Sequence, residues 1–206
     1  MKNNVELRVE NPNDYKENEN VTREAFWNVY RPGCSEHLVL HKLRNEQSFI
    51  KDLSYVAVKA GEIVGSIACA KVFKDGMICE DVFGFGPVSV IPKMQGQGIG
   101  SYLIEQVIKK ASDFGFKAVI ITGDFDYYKR FGFQVASDYG IHLLGVPIED
   151  KAEFFMVKQL EDGFLVKNKG TYSFDKAYEP LDSELEEFER HFPYKQKRES
   201  RVDDLA

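Results

Sequence analysis

Apolar and polar positions alternate at the start of the chain. Val5, Leu7 and Val9 interleave with Glu6 and Arg8, which predicts a half-buried strand. Asn11-Pro12-Asn13-Asp14 ends it. Thr22 is placed to cap a helix over Ala25, Phe26 and Val29 that stops near Arg31-Pro32-Gly33. Ser35 is placed to cap a second, with Leu38, His41 and Lys42 along it. Leu53–Lys59 and Glu62–Phe73, rich in Val, Ile and Ala, predict a hairpin around Ala60-Gly61. Met77–Val82 leads into an apolar run, Val82–Ile91, that reads as a strand ended by Pro92 and Lys93. Next, Ile99, Leu103, Val107, Ile108, Ala111 and Phe114 recur at spacings of three and four and predict a helix with one buried stripe. Gly115 supplies its stop. Ala118–Thr122 is a short buried strand, so strand, helix and strand imply a parallel pair with a right-handed crossover. Asp124 or Asp126 caps a short helix through Tyr127–Arg130, and Glu153–Gln159 is a clear strand among those that follow. The elements together predict an α/β domain.

Past Leu160 the character changes. Gly163–Val166 and Gly170–Phe174 predict a small hairpin or extended cover. Leu181–Phe192 is acidic and helical in pattern, and residues 195–206 read as a polar, frayed tail with Lys195, Lys197, Arg198 and Arg201 solvated.

Composition narrows the class. With 206 residues there is room for one full core and a small appendage. No apolar run approaches the roughly 20 residues of a membrane span, and the opening Met-Lys-Asn-Asn-Val-Glu-Leu-Arg lacks the apolar core of a signal peptide. Cys34, Cys69 and Cys79 are odd in number and without metal-like spacing, so reduced thiols in a cytoplasmic protein are expected. A net charge of −6 argues against nucleic acid as the main partner.

The candidate chemistry lies at Gln95-Gly96-Gln97-Gly98-Ile99-Gly100. A glycine loop between a strand and a buried helix gathers unpaired N–H groups at one point, where the helix dipole favours an anion. Glycines let a phosphate approach the backbone. No Asp or Glu occurs between Asp81 and Glu105 despite the acidic chain. The loop is not a P-loop, which needs Gly-Lys-Ser/Thr, because it ends Gly-Ile-Gly-Ser. It is not a dinucleotide fingerprint either, because the third glycine interval is wrong and Lys117-Ala118-Val119 brings no acid. Upstream, the two glycines and the proline of Phe83-Gly84-Phe85-Gly86-Pro87 weaken a ladder and mark a bulge or close approach.

Gln95-x-x-Gly98-x-Gly100 resembles the Q/R-x-x-G-x-G/A motif of the GNAT family of N-acetyltransferases, and Tyr128-Lys129-Arg130-Phe131-Gly132-Phe133 resembles its Y-x-R-F-G-F segment. The two stand at the family's usual separation. The preceding Gly123-Asp124-Phe125-Asp126-Tyr127 is similar to a branch of small bacterial-type acetyltransferases. The resemblance covers roughly Val5–Leu160, so residues 1–160 are expected to form the GNAT domain and 161–206 an extension packed on it.

It implies a GNAT fold: a mixed, mostly antiparallel sheet with one splayed parallel strand pair, flanked by helices. It implies acetyl-coenzyme A (acetyl-CoA) as acyl donor and no metal. The pyrophosphate would lie on N–H groups of Gln95, Gly96, Gln97, Gly98, Ile99 and Gly100, near Ser101, with Lys93 or Arg130 adding charge. Backbone N–H groups of Val88, Ser89 and Val90 would hold the pantetheine arm and polarise the thioester. Tyr128, rather than Tyr127, would protonate the departing thiolate. Glu80 is the first choice for the base, with Asp81, Asp124 and His142 as alternatives. Trp27, Tyr30, His37 and His41 are substrate contacts or, in the favoured reading, helix packing and solvated surface. The acceptor is a small-molecule or protein amine, and a homodimer through the C-terminal strands fits the family. A non-catalytic acyl-CoA sensor or interaction module on the same fold is the other reading.

Overall fold

A computed structural model describes residues 4–199. Residues 1–3 and 200–206, Arg201 among them, lie outside the described part. One sheet runs through the molecule. Its strands are β1 (Glu6–Val9), β2 (Tyr55–Lys59), β3 (Glu62–Lys74), β4 (Met77–Val90), β5 (Ala118–Thr122), β6 (Gln134–Val135), β7 (Ile141–Leu143), β8 (Phe155–Gln159) and β9 (Gly170–Ser173). The order is β1-β2-β3-β4-β5-β8-β6, with β9 pairing β3 and β7. The β4–β5 and β7–β9 pairs are parallel and the others antiparallel.

Two two-residue turns build the long central hairpins. Ala60 and Gly61 (φ +52° and +87°) join β2 to β3, and Asp75 and Gly76 (φ +51° and +80°) join β3 to β4. Positive φ at both positions matches the right-handed twist of the strands. Met77–Val82 and Val82–Val90 are therefore one strand.

Alternation along the strands splits the core into two layers. Ile67, Cys69, Phe83, Phe85, Val119 and Ile121 face helix α3 (Ile99–Asp113). Ile99, Leu103, Ile104 and Val107 of α3 are at most 3% exposed, a burial that contributes at most roughly 6–12 kcal/mol. Phe114, placed on this stripe by its spacing, is instead 52% exposed. The helix ends at Asp113, and Gly115 (φ +85°) turns the chain away. On the opposite face, α1 (Tyr15–Phe26) covers Val56 and Ile63, and α2 (Glu36–Leu43) covers Ala68 and Ala70. Phe164, Leu165 and Tyr172 cover Val82, Ala118, Ile120 and Phe155.

Three local expectations change. Thr22 lies inside α1, fully buried, and does not cap it. Asn11 and Asp14 instead cap the short turn Pro12–Asp14 that runs into α1, their side chains accepting from Asn13 N–H and Asn11 N–H at 3.0 and 2.8 Å. Ser35 stands at the start of α2, but its hydroxyl makes no capping bond. Gly163–Val166 enters a short helix, α5 (Phe164–Lys167), where a strand was expected.

The acidic C-terminal stretch forms α6 (Asp182–Glu189) and then an arm that returns to α1 and α2. Arg23 grips Glu189 with Nε and Nη2 (3.0 and 2.8 Å), and His37 Nε2 lies 2.7 Å from the same carboxylate. Burial raises the Glu189 carboxyl, but the close His37 ring and the hydrogen bonds from Arg23 outweigh it and hold it at about 2. A carboxylate depressed in the folded state stabilises above its unfolded value, near 4.5, and loses that contribution as pH falls through the folded one. The arm is expected to release between pH about 4.5 and about 2. Trp27, the single tryptophan, lies under the arm and donates Nε1–H to Gln196 O (3.0 Å). Its fluorescence should shift to the red in that window and not between pH ~5 and ~7.

Candidate active site

β4 and β5 pair at only two positions, Val82 with Ala118 and Phe83 with Val119. Beyond them β4 stays with β3 as far as Val90↔Gly65, and β5 stays with β8 as far as Thr122↔Phe155. The strands part, and an opening remains between Gly84–Val90 and the end of β5. At its root the backbones nearly touch, since a Cβ on Gly84 would stand 2.8 Å from Ile120 O.

The direction of each peptide decides what faces the opening. Ile91 N–H donates to Val64 O of β3 (2.9 Å), and successive peptides of a strand point to opposite edges. Ser89 therefore also faces β3, whereas Val88 and Val90 turn their N–H groups into the opening. The Ser89 hydroxyl is occupied as well: buried, it bonds Ser66 (2.8 Å) and Thr22 (3.1 Å). Of the three strand residues expected to serve a ligand, Val88 and Val90 are turned to do so. Ser89 instead ties α1 to the sheet.

At the mouth, Gln95 Nε2 donates to Val90 O (2.9 Å) and fastens the glycine loop to the end of β4. Gly96 and Gly98 have φ of +72° and +79°, and nothing lies within 4 Å of a Cβ built on either. The sequence places glycine there for backbone conformation, and the space above stays free. Gly98 leads directly into α3, whose first turn carries no acid. Gln97 and Lys93 are exposed, with Gln97 Nε2 donating to Lys93 O (3.3 Å). Ser101 Oγ accepts from Arg130 Nη2 (3.0 Å), and the Arg130 guanidinium lies 3.9 Å over the Tyr127 ring. This puts a cation at the positive end of the helix, where an anion would be held by both.

Asp124 accepts from Asp126 N–H (2.8 Å) and starts the short helix α4 (Phe125–Tyr128). The two motif segments meet here: a Cβ on Gly100 would lie 3.7 Å from both Tyr127 Oη and a Val90 methyl. Tyr127 packs edge-on against Tyr128 (4.9 Å), and Tyr128 packs against Phe85, Phe131 and Phe133. Burial, then neighbouring Tyr127 and Tyr30, push the Tyr128 phenol up, so it keeps its proton well past neutrality. Gly123 fixes its place. A Cβ on Gly123 (φ +157°) would stand 2.6 Å from the Tyr128 ring. Gly123→Ala is expected to displace that ring, lowering turnover about tenfold or more with little change in coenzyme affinity, as initial rates and binding titrations would show.

The other proposed groups are dispersed. Glu80 is exposed and pairs with Lys71. It stands five residues before Phe85 on β4, about 16 Å along the strand. Asp81 pairs with Lys117 (3.5 Å), and His142 sits on β7 opposite Thr171. His37 is buried against Phe188 and Phe192, His41 bonds Glu19 (2.9 Å), and Trp27 lies under the arm. These three pack, as favoured. Tyr30 lies at the surface, 65% exposed. Partial burial, then the charges of Glu36 and Asp124, raise its phenol. Tyr30, on the α1–α2 connection, thus stands within electrostatic reach of Glu36, the first residue of α2, and of Asp124 and Tyr128. Glu36 escaped the sequence reading because it looks like an ordinary first-turn acid. Burial raises its carboxyl against N–H donors from its own backbone and Ser35, while nearby Arg31 pairs with Asp182 (2.8 Å).

A family model, that of the acetyltransferase (GNAT) family, matches residues 19–133. The chain belongs to the GNAT family. It is 31% identical over 136 residues to the uncharacterized N-acetyltransferase YhbS of Escherichia coli K12, covering 66% of this chain and 77% of that one. The crystal structure of E. coli YhbS in complex with CoA matches with a TM-score of 0.75 and 24% identity over 86% of this chain and 93% of that one. That of a GNAT acetyltransferase from Brucella melitensis in complex with acetyl-CoA matches with 0.69 and 28%, over 84% and 97%. The expected mixed GNAT sheet with its splayed parallel pair is the one observed. Among the described residues, no helix is long and apolar enough to cross a membrane.

Proposed function

We propose that the chain transfers the acetyl group of acetyl-CoA to a primary amine by direct attack. One observation carries this: the outward N–H groups of Val88 and Val90, the Gln95–Ser101 loop and Tyr128 border a single opening. Family membership and the CoA and acetyl-CoA complexes of similar structures support the same ligand. The loop and the start of α3, with Arg130, take the pyrophosphate. Val88 and Val90 hold the pantetheine arm and polarise the thioester carbonyl as negative charge builds on its oxygen.

The amine nitrogen attacks the thioester carbon as the C–S bond breaks, and Tyr128 gives its proton to the departing sulfur. A phenol above its ordinary pKa is a weak acid for a thiolate near ~8.5, but the apolar wall that raises the phenol also raises the thiolate's basicity. The proton that the amine nitrogen sheds passes to water in the opening, and Glu80, paired with Lys71 farther down β4, stands apart from that step.

The test is thermal unfolding with acetyl-CoA, with ATP as control, followed by thiol release with a panel of primary amines. Ligand at ~100 times its Kd should stabilise by about 2.7 kcal/mol. Stabilisation with no amine turned over would favour a coenzyme-binding module. No stabilisation at millimolar acetyl-CoA would overturn both.

A further inference from the structure

The GNAT match ends at residue 133, yet the wall that carries Tyr30 and Glu36 is held by residues beyond it. The α1–α2 connection, residues 27–35, is an irregular stretch bent at Asn28 (φ +58°). Its own closure is small: Asn28 N–H donates to Gly33 O (2.8 Å), and Gly33 N–H to Asn28 Oδ1 (2.8 Å). The rest comes from the arm. Asn28 Oδ1 also accepts Arg198 N–H (3.1 Å), and Gln196 O accepts from Trp27 Nε1 (3.0 Å). Arg31 reaches Asp182 (2.8 Å), and Lys195 reaches Glu24 (2.7 Å).

Glu189 is the centre of the clamp. It joins Arg23 at the end of α1 to His37 in the first turn of α2, one residue after Glu36. Arg23 and His37 are at most 5% exposed at their side chains. The Arg23 guanidinium lies 4.2 Å over Trp27 and 5.4 Å over Phe192. Removing the carboxylate leaves a buried guanidinium without its counter-charge, held only by Pro193 O (3.2 Å) and the two rings, and the least costly relief is for the segment to open. Among the described residues, the hydrogen bonds and ion pairs of the clamp run to α1, α2 and their connection.

Resting on the transferase reading above, we propose that Glu189 is a positioning residue for the acceptor. It fixes the Tyr30–Glu36 wall, so acceptor recognition depends on the C-terminal arm while acetyl-CoA binding does not. The arm's polar end, which composition alone assigns to solvent, is through Arg198 part of the acceptor side.

Cys34 gives a readout that needs no acceptor. It lies in this segment, 2% exposed, with Sγ 3.5 Å from His37 Nδ1. Cys69 is fully buried in the sheet, and Cys79 is half-buried. In a Cys79→Ser background, Glu189→Gln should speed Cys34 labelling by an aromatic disulfide about tenfold or more while Cys69 stays protected. For the amine most active in the panel, KM should rise about tenfold with kcat changed less than about threefold, and acetyl-CoA Kd should stay within about twofold. Trp27→Phe keeps an aromatic face under Arg23 but loses the bond to Gln196, and should move both readouts the same way by less. It decides the matter should Glu189→Gln not fold. Cys34 labelling unchanged, or acetyl-CoA Kd weakening in step with KM, would overturn the proposal. A panel without any turnover counts against the transferase reading, and labelling with acetyl-CoA binding still decides whether the arm holds the wall.

Discussion

Tyr128→Phe should lower turnover by about 100-fold while acetyl-CoA affinity and stability stay nearly unchanged. The substitution removes one oxygen from a ring already packed among Phe85, Phe131, Phe133 and Tyr127. Phenylalanine fills the same space, so no cavity forms and the core has no reason to relax. The lost group is a phenol that burial keeps protonated, so only a step that needs its proton is affected. Rates of thiol release and acetyl-CoA titrations separate the outcomes. A fall in kcat at constant Kd assigns the proton to Tyr128. A parallel loss of Kd means the hydroxyl binds ligand, and unchanged turnover removes it from the chemistry. Because the phenol lies above its ordinary value, wild-type activity should not decline through loss of this proton until pH exceeds ~10.

What the sequence shows and hides divides along the same line. α3 is legible because Ile99, Leu103, Val107 and Ala111 repeat at helical spacing on a strongly apolar stripe. The glycine loop is legible because it breaks a pattern that its surroundings keep. α1 is not: it buries Asn18, Glu19, Thr22 and Arg23 with Val21, and a helix that buries polar groups against ion pairs leaves little hydrophobic period to read. Asp75-Gly76 is the opposite case, a two-residue hairpin signal that stands in plain view between Glu62–Phe73 and Met77–Val82. The candidate site divides likewise. Loop and tyrosine lie within short motifs, whereas the Tyr30–Glu36 wall is completed by Glu189, 166 positions from Arg23. No local pattern carries that pairing. Ser89 adds a finer point: a motif selects a strand, but the edge to which each peptide turns depends on register.

Gly98→Glu should abolish stabilisation by acetyl-CoA while sparing the fold. The position has φ +79° and open space above it. Glutamate meets no neighbour there, and its cost is the left-handed backbone, about 1–2 kcal/mol. Against this, a carboxylate entering α3 interacts favourably with the helix dipole, by roughly 0.3–1 kcal/mol. The unliganded variant should thus melt only a few degrees below the wild type, about 2–4 °C per kcal/mol for a chain of this size. Its new charge occupies the place where the pyrophosphate would lie and repels it, so the ligand-induced gain of about 2.7 kcal/mol at ~100 Kd should vanish. Gly98→Ala separates the causes, because it carries the backbone cost without the charge and should keep part of the gain. If Gly98→Glu still responds to acetyl-CoA as the wild type does, the phosphates lie elsewhere, and the assignment of the Gln95–Ser101 loop fails with them.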